Sequence, residues 1–197
     1  MSFLATHILT KPVVSTVSAE TIATVDDLVY ELSRWGVTGF EVLTDGGKFV
    51  LPVNGVESAA ENQILVKDKD SLVPHEDAPE LTAELMRGPK LQDVEVQTAT
   101  GEKLGYLEDI EITPQDWSII SLMVGRGEVS NALLGPVQLT PGDVVVKSPT
   151  LIQIRPEVNI DLGGEAEQAV ADVVQKVGDN ANDLLQKGRN IINDIIK

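Results

Sequence analysis

Residues 103–124, KLGYLEDIEITPQDWSIISLMV, decide the fold, because a degraded copy of them stands at residues 21–42, TIATVDDLVYELSRWGVTGFEV. At one constant offset, Ile22 matches Leu104, Val25 matches Leu107, Asp27 matches Asp109, Leu28 matches Ile110, Trp35 matches Trp117 and Val42 matches Val124. A repeat of this length means two structural units of one plan, so it takes precedence over any short motif.

Working outward from the earlier copy, residues 22–32 alternate as a half-buried strand does, with Ile22, Thr24, Asp26, Leu28, Tyr30 and Leu32 on one face. Asp26 spoils that face, which predicts a bulge. Residues 37–43 read as the next strand, and the run 44–47, TDGG, supplies the positive φ angles that a tight hairpin needs before a strand at 48–53. Residues 54–62 read as a turn or short helix, and 63–66 as a last short strand. The later copy repeats this plan: strands at 91–97, 103–113, 118–125, 133–139, 144–147 and 151–155, separated by Gly- and Pro-containing turns. Short strands at such regular spacing predict two small antiparallel β-barrels, at residues 1–75 and 89–156. Between them, residues 67–89 are charged and hold three prolines; a short helix is expected near 79–86, in a linker at 76–88.

The final segment, 157–197, changes period. Val170, Val173, Val174, Val177, Ala181, Leu184, Leu185, Ile192, Ile195 and Ile196 fall on one helical stripe. Asp172, Asp183 and Asp194 recur at equal steps of three helical turns, the spacing of an 11-residue repeat. About 3.67 residues per turn keeps such a stripe nearly straight, so a long C-terminal amphipathic α-helix is predicted, about 48 Å in length at about 1.5 Å per residue. That face could pack on the barrels, self-associate, dock on a partner groove or lie on a membrane surface. Lys176, Lys187 and Arg189 flank it, which suits a lipid interface; the absence of Trp and Phe and the net acidity of the segment weigh against one.

Charge limits function further. Fifteen basic and 31 acidic residues give −16, spread along the whole chain. An acidic protein of this kind lacks the Lys and Arg surplus that neutralises phosphates, so no DNA partner is expected and RNA or ribosome contact is disfavoured. Cysteine is absent, which excludes disulfides, thiolate metal sites and thiol nucleophiles. With no basic-then-apolar leader and no run of about 20 apolar residues, a cytoplasmic protein is expected, with peripheral contact on the cytoplasmic face of a membrane as an option.

Residues 101–110, GEKLGYLEDI, resemble the signature of the PRC-barrel family: a turn glycine at Gly101, then Gly105 and Asp109 around an apolar position, then an apolar strand. The earlier copy carries Ala19 and Ala23 where the glycines would be but keeps Asp27. The resemblance spans residues 8–156. It implies tandem barrels of about six strands, like those of the photosynthetic reaction-centre H subunit and of the ribosome-maturation factor family. In the first the barrel supports a membrane complex; in the second it contacts a ribosomal protein. Neither is catalytic, so the resemblance implies no catalytic residue, cofactor or metal.

Residues that could carry chemistry have plainer uses. His7 and His75 are isolated in sequence, in segments expected to be loops, and suit solvated or loop-anchoring roles better than a general base or metal ligand. Asp26-Asp27 and Glu108-Asp109-Glu111 could form a carboxylate pair for acid-base chemistry or a hard metal, but their place in the repeat suits carboxylates bonded to local backbone. Trp35 and Trp117 are expected to plug one end of each barrel rather than offer a stacking platform. Gly46-Gly47 and Gly163-Gly164 lack the context of a phosphate loop. The expected function is therefore a non-enzymatic adaptor or scaffold: the barrels bind a protein partner and the tail mediates oligomerisation or membrane attachment, as in a photosynthetic-type complex. The alternative is a ribosome-assembly or RNA-processing factor.

Overall fold

The structure, a computed structural model, describes residues 2–60, 62–125, 135–158 and 160. Residues 1–158 form one compact unit. The chain begins with strand β1 (Phe3–Leu4) and helix α1 (Ala5–Ile8), then enters the first sheet through β2 (Pro12–Ser15), β3 (Thr21–Glu31), β4 (Gly36–Thr44), β5 (Gly47–Pro52), β6 (Val56–Ala60) and β7 (Gln63–Val66). Helix α2 (Pro79–Arg87) follows, and then β8 (Glu95–Gln97), β9 (Lys103–Ile112), β10 (Ile119–Gly125), β11 (Val137–Leu139), β12 (Val144–Ser148) and β13 (Leu151–Ile154).

The first sheet has the order β5-β4-β3-β2-β7-β6 and the second β11-β10-β9-β8-β13-β12, so the two copies share one topology. Alternation places the larger apolar side chains inside each curl. Val13, Phe40, Val42, Leu51 and Ile64 are sequestered in the first sheet, and Leu107, Ile110, Leu122, Leu139 and Ile152 in the second. Bulges repeat as well. Val25 pairs with Val42 and Asp27 with Glu41, leaving Asp26 as the extra residue; Leu107 pairs with Val124 and Asp109 with Met123, leaving Glu108. Thr38 and Ile120, which the repeat also aligns, are the extra residues of β4 and β10. A bulge sharpens local twist, and two per copy bend the long strands into a curl.

These findings correct the expectation of two closed antiparallel barrels plus a long C-terminal helix. Each copy is a curled half-barrel whose end strands do not pair, β5 with β6 in the first and β11 with β12 in the second. One cause is visible on β5: Val50 exchanges both backbone hydrogen bonds, each 2.8 Å, with Val73, so the segment after β7 occupies the edge that closure would need. Nor are the sheets wholly antiparallel, because β2 pairs with β7, and β8 with β13, in parallel. Among the described residues the only α-helices are Ala5–Ile8 and Pro79–Arg87. The predicted helix at 157–197 lies outside the described residues, apart from its first positions. Strand β6 stands where a turn or short helix was expected.

Two short segments cover the sheets. Helix α2, with Pro79 in its first turn, packs on the first sheet: Leu81 reaches the spot beside Gly39, where a Cβ would lie 3.0 Å from the Leu51 carbonyl oxygen. Strand β1 crosses in the other direction and pairs with β9 of the second sheet, Phe3 opposite Ile112.

The turn glycines show how the degraded copy keeps its fold. Gly101 has φ +87° and Ala19, its counterpart, φ +58°, so the alanine accepts a left-handed backbone that glycine adopts without steric cost. Nothing lies within 4 Å of where a Cβ on Gly101 would stand, so only backbone strain separates the two residues. Gly101→Ala is expected to lower stability by about 1 kcal/mol and Ala19→Gly to leave it level or raise it by up to about 1 kcal/mol, read by urea denaturation.

Candidate functional site

The site is the seam where the two copies meet. Each copy turns tightly before β4 or β10 at a tryptophan with positive φ, 52° at Trp35 and 61° at Trp117. That conformation is uncommon for a bulky residue and costs roughly 1–2 kcal/mol. Here it aims each tryptophan carbonyl at the other copy. The Val37 N–H donates to the Trp117 carbonyl at 2.9 Å, and the Ile119 N–H donates to the Trp35 carbonyl at 2.8 Å. Gly36 and Ser118 face each other between these bonds as an antiparallel bridge. Donors, acceptors and bridge partners are all equivalent positions of the repeat, so the contact is self-complementary, as a two-fold dimer interface is.

Trp117 completes the seam. Its ring meets Phe40 of the first sheet edge-to-face, centroids 5.2 Å apart at 73°. Phe40 is inaccessible to solvent and Trp117 nearly so. Trp117 thus plugs the junction between copies, where a plug at the end of its own barrel was expected; Trp35 is half-buried.

The signature aspartates serve the backbone. Asp27 Oδ1 accepts from the Leu28 N–H, and Asp109 Oδ1 from the Ile110 N–H, both at 2.8 Å, just after the bulge in each strand. Asp109, buried, also accepts from the Thr6 N–H at 3.2 Å and from the Thr6 hydroxyl. Its carboxylate therefore anchors α1 to the second sheet. Gly105 is buried opposite Val96, and Ala23 holds the equivalent place opposite Val13.

A second polar cluster lies on the first sheet. The Lys48 ammonium bridges Asp26, at 2.7 Å, and the buried Glu41, at 2.6 Å, and His75 Nε2 stands 3.4 Å from Glu41. The bond from Lys48 holds the Asp26 carboxyl below its ordinary value, and both acids raise that of Lys48. The backbone carbonyl of His75 accepts from the Thr82 hydroxyl at 2.9 Å, so this histidine anchors the segment leading into α2; His7 is exposed on α1. Among the described residues no group of three or more His, Asp or Glu side chains is arranged to hold a metal ion. No helix among them is long and apolar enough to cross a membrane. The apolar positions from Val170 to Ile196 lie outside the described residues.

Two hollows have walls drawn from both copies. One, of about 470 Å³, carries the acids Asp26, Asp27, Glu84, Asp93 and Glu108 on its wall. The other, of about 420 Å³, lies between the end of β3, the last turn of α2 and the β12–β13 turn. Tyr30 lines both, and its hydroxyl donates to the Pro89 carbonyl at 2.8 Å. Sequence reasoning singled out neither hollow, since the walls come from segments far apart in the chain and no local pattern joins them. No family model and no curated protein matches the chain.

Two outcomes follow from this geometry. A double-mutant cycle with Phe40→Leu and Trp117→Leu is expected to give a coupling energy of about 1 kcal/mol, whereas additive losses would mean the ring contact contributes nothing beyond burial. Burial, and then the charges of Asp27 and Asp93, push the Tyr30 phenol above its ordinary value. A folded-state pKa above the unfolded one gives stability that is present below about pH 10 and lost as pH rises from there toward the folded value. Tyr30→Phe should therefore lose about 1 kcal/mol at neutral pH, from the hydrogen bond, yet show a shallower decline above about pH 10 than the parent in pH-dependent urea melts.

Proposed function

We propose that the chain is a non-enzymatic adaptor or scaffold of PRC-barrel type, acting in the cytoplasm, whose two joined sheets present one fixed surface to a protein partner. The reciprocal seam carries this reading. Two half-barrels locked by paired backbone bonds and a buried aromatic contact form a rigid platform, and rigid surfaces bind with little ordering cost. Supporting it, the aspartates of the repeat bond to their own backbone and the tryptophans sit at the junction, so the most distinctive polar and aromatic residues hold the platform together. Exposed apolar side chains remain on its outside, among them Val17 and Met86.

The periodic apolar pattern of 163–197 supports self-association or peripheral membrane contact by that segment, as in a photosynthetic-type assembly. A ribosome-assembly role has only the family resemblance behind it, and a charge of −16 works against phosphate contact.

The test compares the full chain with one ending at Val158. Sedimentation, flotation with anionic liposomes and quantitative cross-linking in native lysate are read for both. The reading expects one saturable protein partner shared by both forms, and assembly or lipid contact only in the full chain. Co-migration with ribosomal particles, or an identical monodisperse monomer with no saturable partner in both forms, would overturn it.

A further inference from the structure

The smaller hollow has the attributes of a ligand site. Its volume, about 420 Å³, falls within the range of about 300–1,000 Å³ common to small-molecule pockets. Leu32, Ala83, Pro89, Val146 and Pro149 give it mainly apolar walls, and the bond from Tyr30 to the Pro89 carbonyl fixes one of them in place.

Four charged side chains line it, and they differ in what they already do. Glu31 pairs with Arg34 at 3.1 Å and accepts from the Ser33 hydroxyl; Glu84 accepts from the Thr38 hydroxyl at 2.8 Å. The side chains of Arg87 and Lys147 form no ion pair or hydrogen bond with any described residue. Of the charged groups on this wall, both acids are thus engaged and both cations are free. They come from separate parts of the fold, the last turn of α2 and strand β12.

We propose that this cavity binds a small amphipathic monoanion, an aliphatic or aromatic body carrying one carboxylate, with the body against Leu32, Ala83 and Val146 and the carboxylate between Arg87 and Lys147. The two parts of the ligand have different tasks. Charge-assisted hydrogen bonds to Arg87 and Lys147 select and orient the carboxylate. The apolar body supplies most of the affinity, since a bare anion approaching a chain of net charge −16 meets long-range repulsion that two exposed cations offset only in part. A body of roughly eight to ten carbons suits a pocket of this size.

The experiment uses the full chain with decanoate, decanol and acetate as probes, each titrated by calorimetry and by displacement of the fluorescent anion 1-anilinonaphthalene-8-sulfonate. Decanoate is expected to bind at a single saturable site and to raise Tm, because it binds the folded state alone. Decanol should bind about tenfold more weakly and acetate not at all. The double variant Arg87→Gln, Lys147→Gln changes two exposed side chains, so it should keep its fold while losing about tenfold for decanoate and nothing for decanol. Ala83→Trp should remove binding of both; Val146→Trp replaces it if the first fails to fold by circular dichroism. No binding of decanoate, decanol binding as tightly, or full affinity in both the double variant and the filled-cavity variant would each overturn the proposal.

Discussion

Two backbone hydrogen bonds, Val37 to Trp117 and Ile119 to Trp35, set the constraint on which the rest of the unit depends. Each contributes only about 0.5–1.5 kcal/mol net. Their larger effect is geometric. They exist because both tryptophans accept a left-handed backbone, and that conformation turns the carbonyls out of their own sheets. Once the carbonyls meet the partner copy, Trp117 must lie over Phe40, and the ends of β3 and β9 are brought near enough for α2 and the segment before β8 to span them. The strain at two residues is offset by a buried interface that neither sheet could form alone.

The repeat made much of this legible. Its constant offset foretold two units of one plan, and the misplaced Asp26 marked the bulge that bends β3. What stayed hidden depends on contacts distant in sequence. Strand β6, whose Glu57, Ser58, Ala59 and Ala60 have little strand preference, exists because β7 offers it a partner. The open first sheet could not be foreseen from strand spacing, since Val73 occupies the edge of β5 that closure would need. The seam was half legible: the paired tryptophans were evident, but no pattern tells that a turn will bond to another turn instead of closing its own barrel. The cavity was illegible, because Arg87 and Lys147 gain meaning only from what they fail to touch.

The copies have diverged where each meets its own cover. Gly39 leaves room for Leu81 of α2, whereas its counterpart Ser121 is buried with a hydroxyl that finds no hydrogen-bond partner among the described residues. Among the described residues the Asp27 carboxylate bonds only to its neighbouring amide, whereas that of Asp109 also holds Thr6. One half-barrel is therefore covered by the helix that follows it, the other by the residues that precede both.

That second cover orders events during synthesis. Residues 3–8 leave the ribosome well before their strand and carboxylate partners, Ile112 and Asp109, are made. At about 5–20 residues per second the segment waits several seconds undocked while the first sheet assembles behind it. A separation of 103 residues between Thr6 and Asp109 is also a slow closure, since loop entropy must be overcome before the contact stabilises anything. The docked strand at Phe3–Leu4 thus waits on β9: its register with Glu111 and Ile112 is set only after every strand of the first sheet has been made.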